Sequence, residues 1–164
     1  MSHTAFIALG SNLDDPYKHV VSAFGELDTI PLTTVVKQSG IYESEPYGVK
    51  DQPNFINAVA EVTTQLSPFE LLEQLQQIEN RHKRVRTMHW GPRTLDLDLI
   101  MYEQQIIDTE KLKLPHPGMA LRSFVLKPLM DLNPELMTPL NQTVRELFSR
   151  IDCSDLKLKS NDLQ

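Results

Sequence analysis

The sequence predicts an α+β fold of the ferredoxin-like kind, an antiparallel sheet with helices packed on one face and extra helices toward the C-terminal end. Three observations predict it. Segments of strand-like and helix-like periodicity follow one another as strand, helix, strand, strand, helix, strand. Each of the two long helical segments carries a single apolar stripe and so has one face to bury. The strand around Asp96 alternates apolar and polar residues, the pattern of a sheet covered on one side.

Residues 5–9 are a short apolar run ended by Gly10, Ser11 and Asn12, a buried strand and its turn. Asp15 before Pro16 starts a helix with Tyr17, Val20, Val21, Phe24 and Leu27 in its stripe, ending near residues 29–31. Residues 33–42, rich in threonine and valine, form the second strand, and residues 43–53, with two prolines and a glycine, a long loop. The third strand, 55–63, puts Ile56, Ala58, Ala60 and Val62 on one face and Phe55, Asn57, Val59 and Glu61 on the other. Ser67, Pro68 and Glu70 make a capping box with proline at the first helical position, followed by Leu71, Leu72, Leu75 and Ile78 at helical spacing. In the fourth strand Leu95, Leu97 and Leu99 alternate with Asp96 and Asp98. Residues 111–122, which contain PHPG, read mostly as loop, and 124–132 as a short apolar helix or turn. Thr143 with Glu146 caps a last helix carrying Val144, Leu147, Phe148 and Ile151, and from Asp152 the chain reads as a polar, loosely held tail.

At 164 residues, 40% hydrophobic and 23% charged, the chain fits one globular domain over 1–164. A formal charge of −6 argues against a general nucleic-acid binder, which must neutralise phosphates. No stretch is apolar enough for a membrane span, a single cysteine, Cys153, cannot form an internal disulfide, and the opening residues lack a leader pattern. The expectation is a cytoplasmic monomer whose partners are small molecules, with neither nucleic acid nor membrane involved.

The chemistry concentrates in WGPRTLDLD, residues 90–98. Residues two apart on a strand point the same way, so Asp96 and Asp98 project from one face. Paired anionic oxygens suit Mg²⁺, which binds through one or two carboxylates and completes its shell with water and substrate phosphates. The preceding run supplies positive charge through Arg81, Lys83, Arg84, Arg86 and Arg93, with no acid between Glu79 and Asp96. Arginine forks and magnesium neutralise different oxygens of a polyphosphate, so a nucleotide-using phosphotransfer enzyme is the first expectation. With the strands adjacent, Phe55 and Asn57 share the face of the acids, where a flat heterocycle can stack on the ring and be read by the amide.

Blander readings attach to these residues singly. A lone D-x-D is usually the solvated side of a strand, Arg81 and Lys83 are accounted for by a helix C-terminus, and Phe55 or Phe124 alone would be core. Their concurrence favours function.

LGSN at 9–12, YESEPYG at 42–48, DQPNFINA at 51–58, RVR at 84–86, WGPRTLDLD, LPHP at 114–117 and RSFVLKPL at 122–129 occur in that order. Over residues 4–150 the chain resembles the 6-hydroxymethyl-7,8-dihydropterin pyrophosphokinases of folate biosynthesis. The resemblance implies a ferredoxin-like fold and transfer of diphosphate from ATP to the pterin hydroxymethyl group, releasing AMP. It implies that Asp96 and Asp98 hold two magnesium ions, that Arg84 and Arg93 neutralise charge in the transition state, that Arg86 lies on the same loop and that Trp90 closes over the site. It implies that Phe55 and Phe124 sandwich the pterin, while Asn57 and the chain around Ser44, Glu45 and Tyr47 read its edges. Gln76, Glu79, Leu99, Lys111, Lys113, His116 and Arg122 fall where that family contacts ATP. Lys111 and Lys113 sit at variable positions, and some members have tyrosine in place of Phe55.

Two alternatives belong to other classes. Polymerase-β-like nucleotidyltransferases also join a Gly-Ser turn to a D-x-D strand, but close in sequence, whereas here more than 80 residues intervene. A ferredoxin-like RNA-binding module would show aromatics in basic strand motifs, which the paired aspartates and negative charge do not match.

Overall fold

The computed structural model describes residues 2–12, 15–44, 54–83, 94–152 and 156–160. Its strands are β1 (His3–Ser11), β2 (Thr33–Gln38), β3 (Ile41–Ser44), β4 (Phe55–Thr64), β5 (Asp96–Tyr102), β6 (Ile107–Asp108), β7 (Lys113–Leu114) and β8 (Lys157–Ser160). Its α-helices are α1 (Pro16–Leu27), α2 (Pro68–Lys83), α3 (Ser123–Leu132) and α4 (Val144–Phe148). The main sheet is antiparallel and runs β5-β1-β4-β3-β8, with β2 also paired to β4, and β6 and β7 form a separate hairpin. The sequence-predicted α+β class holds.

Strand alternation divides the protein into two cores. Ala5, Ile7 and Leu9 of β1, Ile56, Ala58, Ala60 and Val62 of β4, and Leu97 and Leu99 of β5 face α1 and α2. Those helices contribute Val20, Ala23, Phe24 and Leu27, then Leu71, Leu75 and Ile78. Tyr17 and Val21, assigned from the sequence to the α1 stripe, are 36% and 47% exposed, and Ala23 takes the inward position instead. The opposite sheet face is partly covered by α3 and α4, where Phe6, Val59, Ile100 and Met101 meet Val125, Leu126, Leu129 and Val144. Among the described residues, the helices after β5 thus leave one end of that face uncovered.

Both capping boxes form. Glu70 N–H donates to Ser67 Oγ at 3.2 Å and Ser67 N–H to Glu70 Oε1 at 2.8 Å; Thr143 and Glu146 repeat the exchange at α4. The two long helices are joined near the end of α2, where His82 Nδ1 lies 2.6 Å from His19 Nδ1 and its Nε2 2.5 Å from Glu26 Oε1.

Three local features depart from the sequence reading. A bulge in β5 pairs Phe6 with Met101 but Ile7 with Leu99, so Ile100 and Met101 both enter the second core. The polar tail is not wholly loose, because Lys157–Ser160 pairs with β3 through main-chain bonds to which side-chain pattern is blind. The predicted second strand is broken at Ser39 and Gly40 into β2 and β3, both paired with β4. Ser39 spans the break: its N–H donates to Val59 O at 2.9 Å and its Oγ accepts from Val59 N–H at 2.8 Å. Ser39→Ala leaves a buried amide unsatisfied and is expected to cost about 1–3 kcal/mol, read by urea denaturation; an unchanged midpoint would contradict this role.

Candidate active site

The open end of the second face is a cavity of about 480 Å³. Its walls come from four strands of the main sheet, from the segment between β7 and α3 and from the first turn of α3. Strand β1 supplies Ala8, Leu9, Gly10 and Ser11, β3 supplies Ser44, β4 supplies Phe55 and Asn57, and β5 supplies Asp96, Asp98 and Ile100. The opposite wall is His116, Met119, Leu121, Arg122, Phe124 and Val125.

Strand register explains why these groups meet. Gly10 pairs with Asp96 on one side and Asn57 on the other, while Ala8 pairs with Asp98. The acids and the amide are therefore separated by a residue without a side chain. A Cβ at Gly10 would stand 2.8 Å from Asn57 Oδ1, so the glycine makes room for the Asn57 amide. Ser11 Oγ donates to Thr94 O at 2.5 Å, tying the end of β1 to the residues leading into β5.

On the facing wall, Gly118 N–H donates to His116 Nδ1 at 3.0 Å. Burial pushes the His116 pKa below its ordinary value, Asp98 pulls it upward, and Arg122 adds to the downward push. With Nδ1 accepting from the Gly118 amide, the neutral ring carries its proton on Nε2, where it can donate. The Arg122 guanidinium carbon lies 5.7 Å from the Phe124 ring centroid, a cation–π contact at the cavity rim.

Of the residues named from sequence, Ser44, Phe55, Asn57, Asp96, Asp98, His116, Arg122 and Phe124 line this one cavity. Gln76 and Lys111 line a separate, smaller depression with Phe69, Glu70, Leu72 and Glu73. Glu79 accepts from Leu97 N–H at 2.7 Å, bracing α2 against β5. Lys113 Nζ is 2.7 Å from Asp108 Oδ1 in the β6–β7 hairpin. The Leu99 side chain is buried among the helices because it alternates with Asp98, so only its main chain could meet a ligand. Glu45, Tyr47, Arg84, Arg86, Trp90 and Arg93 lie outside the described residues. Gly10, Ile100, Met119, Leu121 and Val125 were not singled out by sequence reasoning as site residues; for Gly10, the signal was there only once the strand order was known.

Among the described residues no group of three or more His, Cys, Asp or Glu side chains could hold a metal ion. Two carboxylates on one strand face nevertheless fit a divalent cation that takes its remaining oxygens from phosphate and water. Among the described residues, no helix is long and apolar enough to cross a membrane.

Fold and cavity define a ferredoxin-like α+β protein with an acid-paired, aromatic-walled ligand site at one end of its sheet. Residues 6–134 match the family model "7,8-dihydro-6-hydroxymethylpterin-pyrophosphokinase (HPPK)", and the chain belongs to that family. It is 45% identical over 147 residues to the Haemophilus influenzae 2-amino-4-hydroxy-6-hydroxymethyldihydropteridine pyrophosphokinase, covering 90% of this chain and 92% of that one. To the Bacillus subtilis protein of the same name it is 47% identical over 132 residues, 80% of this chain and 79% of the other. A solved Plasmodium falciparum HPPK-DHPS chain superposes with a TM-score of 0.71 over 92% of this chain; the match spans 45% of that longer chain and, at 16% identity, bears on fold alone. Gly10 and Asp96 are neighbours in space despite their distance in sequence, so chain separation does not by itself exclude the polymerase-β-like alternative. The family match favours the pyrophosphokinase reading.

Gly10→Ala is expected to displace the Asn57 amide and weaken binding of a pterin ligand about tenfold, the scale of one lost hydrogen bond. Isothermal titration with a pterin alcohol checks it, and unchanged affinity would remove Asn57 from ligand recognition.

Proposed function

We propose that this chain transfers the terminal diphosphate of ATP to the hydroxymethyl group of 6-hydroxymethyl-7,8-dihydropterin, releasing AMP, as a cytoplasmic monomer. The observation that carries the reading is the meeting of Asp96, Asp98, Phe55, Asn57 and Phe124 in one cavity. Acids alone would suit many phosphate enzymes; with two aromatic rings and an edge-reading amide beside them, the second substrate is a flat heterocycle.

The reaction joins the hydroxymethyl oxygen to the β-phosphorus in line with departure of the α-phosphate as AMP. Two magnesium ions held by Asp96 and Asp98 would neutralise triphosphate charge and polarise the attacked phosphorus. Phe55 and Phe124 hold the pterin between them, and Asn57, Ser44 and the chain near Glu45 and Tyr47 read its edges. His116 Nε2–H and the Arg122 guanidinium donate to phosphoryl oxygens, while Arg84 and Arg93 cover charge that develops in the transition state. Arg86 and Trp90 belong to the same basic segment and contact the nucleotide. Gln76, Lys111, Lys113 and the Leu99 main chain serve its distal end, and Glu79 supports them by holding α2 to β5. Juxtaposing the two substrates supplies on the order of 7–11 kcal/mol in favourable cases, so positioning carries most of the work.

Chromatography of a magnesium-containing reaction with ATP and the pterin alcohol should show AMP; pyrophosphate in its place would support nucleotidyl transfer and reject the proposal. Asp96→Ala or Asp98→Ala should lower turnover at least about a hundredfold, the scale of one preorganised electrostatic group. Near-normal turnover in either variant would reject the metal assignment. For Phe55→Ala, separate titrations should find pterin binding weakened with ATP affinity largely kept; equal losses for both ligands would argue against the stacking role.

A further inference from the structure

Resting on that reading, we propose that Gly118 is a positioning residue for the anion-binding wall of the cavity, because the space left by its missing side chain is where the Arg122 guanidinium lies. A Cβ at position 118 would stand 2.5 Å from Arg122 Nε, 2.7 Å from its Cζ and 3.1 Å from its Cδ. The first two separations are shorter than real Cβ contacts show, and the third is tighter than most, so the arginine would have to shift. The backbone makes no such demand, since φ −88° and ψ −2° at Gly118 are open to every L-residue. The observed placement of the Arg122 side chain, and not the turn, is therefore what a side chain at position 118 would disturb.

The local fold brings the two residues together. Met119 N–H donates to His116 O at 3.0 Å and Leu121 N–H to Gly118 O at 3.1 Å, closing a 3-10 turn over Met119–Leu121. Arg122 folds back across that turn with its guanidinium carbon 5.7 Å from the Phe124 ring centroid. The N–H of the same glycine holds His116 Nδ1 at 3.0 Å. One residue thus touches both donors that the wall presents to an anionic ligand, and pre-setting them lowers the ordering cost when a polyphosphate arrives. The far end of an arginine is flexible, so a methyl at position 118 displaces the guanidinium and leaves the fold intact.

The test compares Gly118→Ala, Arg122→Ala and the double variant. Gly118→Ala should raise the ATP Kd about tenfold, the scale of one charge-assisted hydrogen bond, with no change in melting temperature. In the Arg122→Ala background the same substitution should have no further effect. A Gly118→Ala variant with wild-type ATP affinity, an equal further loss in the Arg122→Ala background, or a lowered melting temperature accompanying the loss would each overturn the proposal. A readout independent of the reaction is the nuclear Overhauser contact between Arg122 Nε–H and the Phe124 ring in ligand-free protein. It should be present in the wild type and lost in Gly118→Ala; its persistence in the variant would also overturn the assignment. If the wild type binds no ATP, the proposed function fails while this contact still decides the role of Gly118.

Discussion

The site depends on the placement of β1 between β5 and β4. Gly10 faces Asp96 across one ladder and Asn57 across the other, so a single register fixes the distance between the acids and the amide. Because side chains alternate with period two, a slip of one residue in the β1–β5 ladder would turn the acids into the leucine-rich core and Leu97 into the cavity, and one in the β1–β4 ladder would turn Asn57 inward. The burial of Ile7, Leu9, Ala58, Leu97 and Leu99 against α1 and α2 is what forbids that slip. Core packing on one face thereby sets chemistry on the other.

The second core limits where the chemistry can be. Helices α3 and α4 cover the middle of the sheet over Phe6, Val59, Ile100 and Met101 and, among the described residues, leave uncovered the end where β1 stops and β5 begins. The segment that leads into α3 then supplies the facing wall with His116 and Arg122, and the first turn of α3 adds Phe124. Acidic groups on the sheet and donors on the opposite wall thus face each other across one space, an arrangement suited to a ligand anionic at one end and aromatic at the other.

Much of this was legible in the sequence because it depends on local periodicity. The alternation of residues 95–99 and 55–62 placed the two acids, Phe55 and Asn57 on one face, and the capping residues Ser67, Glu70, Thr143 and Glu146 marked two helix starts. What escaped depends on contacts between distant segments. Gly10 reads as a turn glycine until its neighbours on both sides are known, and Leu121 carries no signal of its own. The β2–β3 break needs Ser39 to meet Val59, and the C-terminal strand needs an open edge on β3. Glu79 reads from the sequence only through the resemblance, as a nucleotide contact, and its hydrogen bond to the Leu97 amide needs α2 and β5 to be side by side.

The bulge at Ile100 separates two demands on one strand. Beyond it, Met101 and Tyr102 are committed to opposite cores, whereas before it Asp96 and Asp98 line the cavity. Changes at these two acids would thus leave the interior packing nearly untouched. The strand can therefore be retuned for another ligand at its head while its foot preserves the architecture, a division that lets the scaffold outlast any one chemistry built on it.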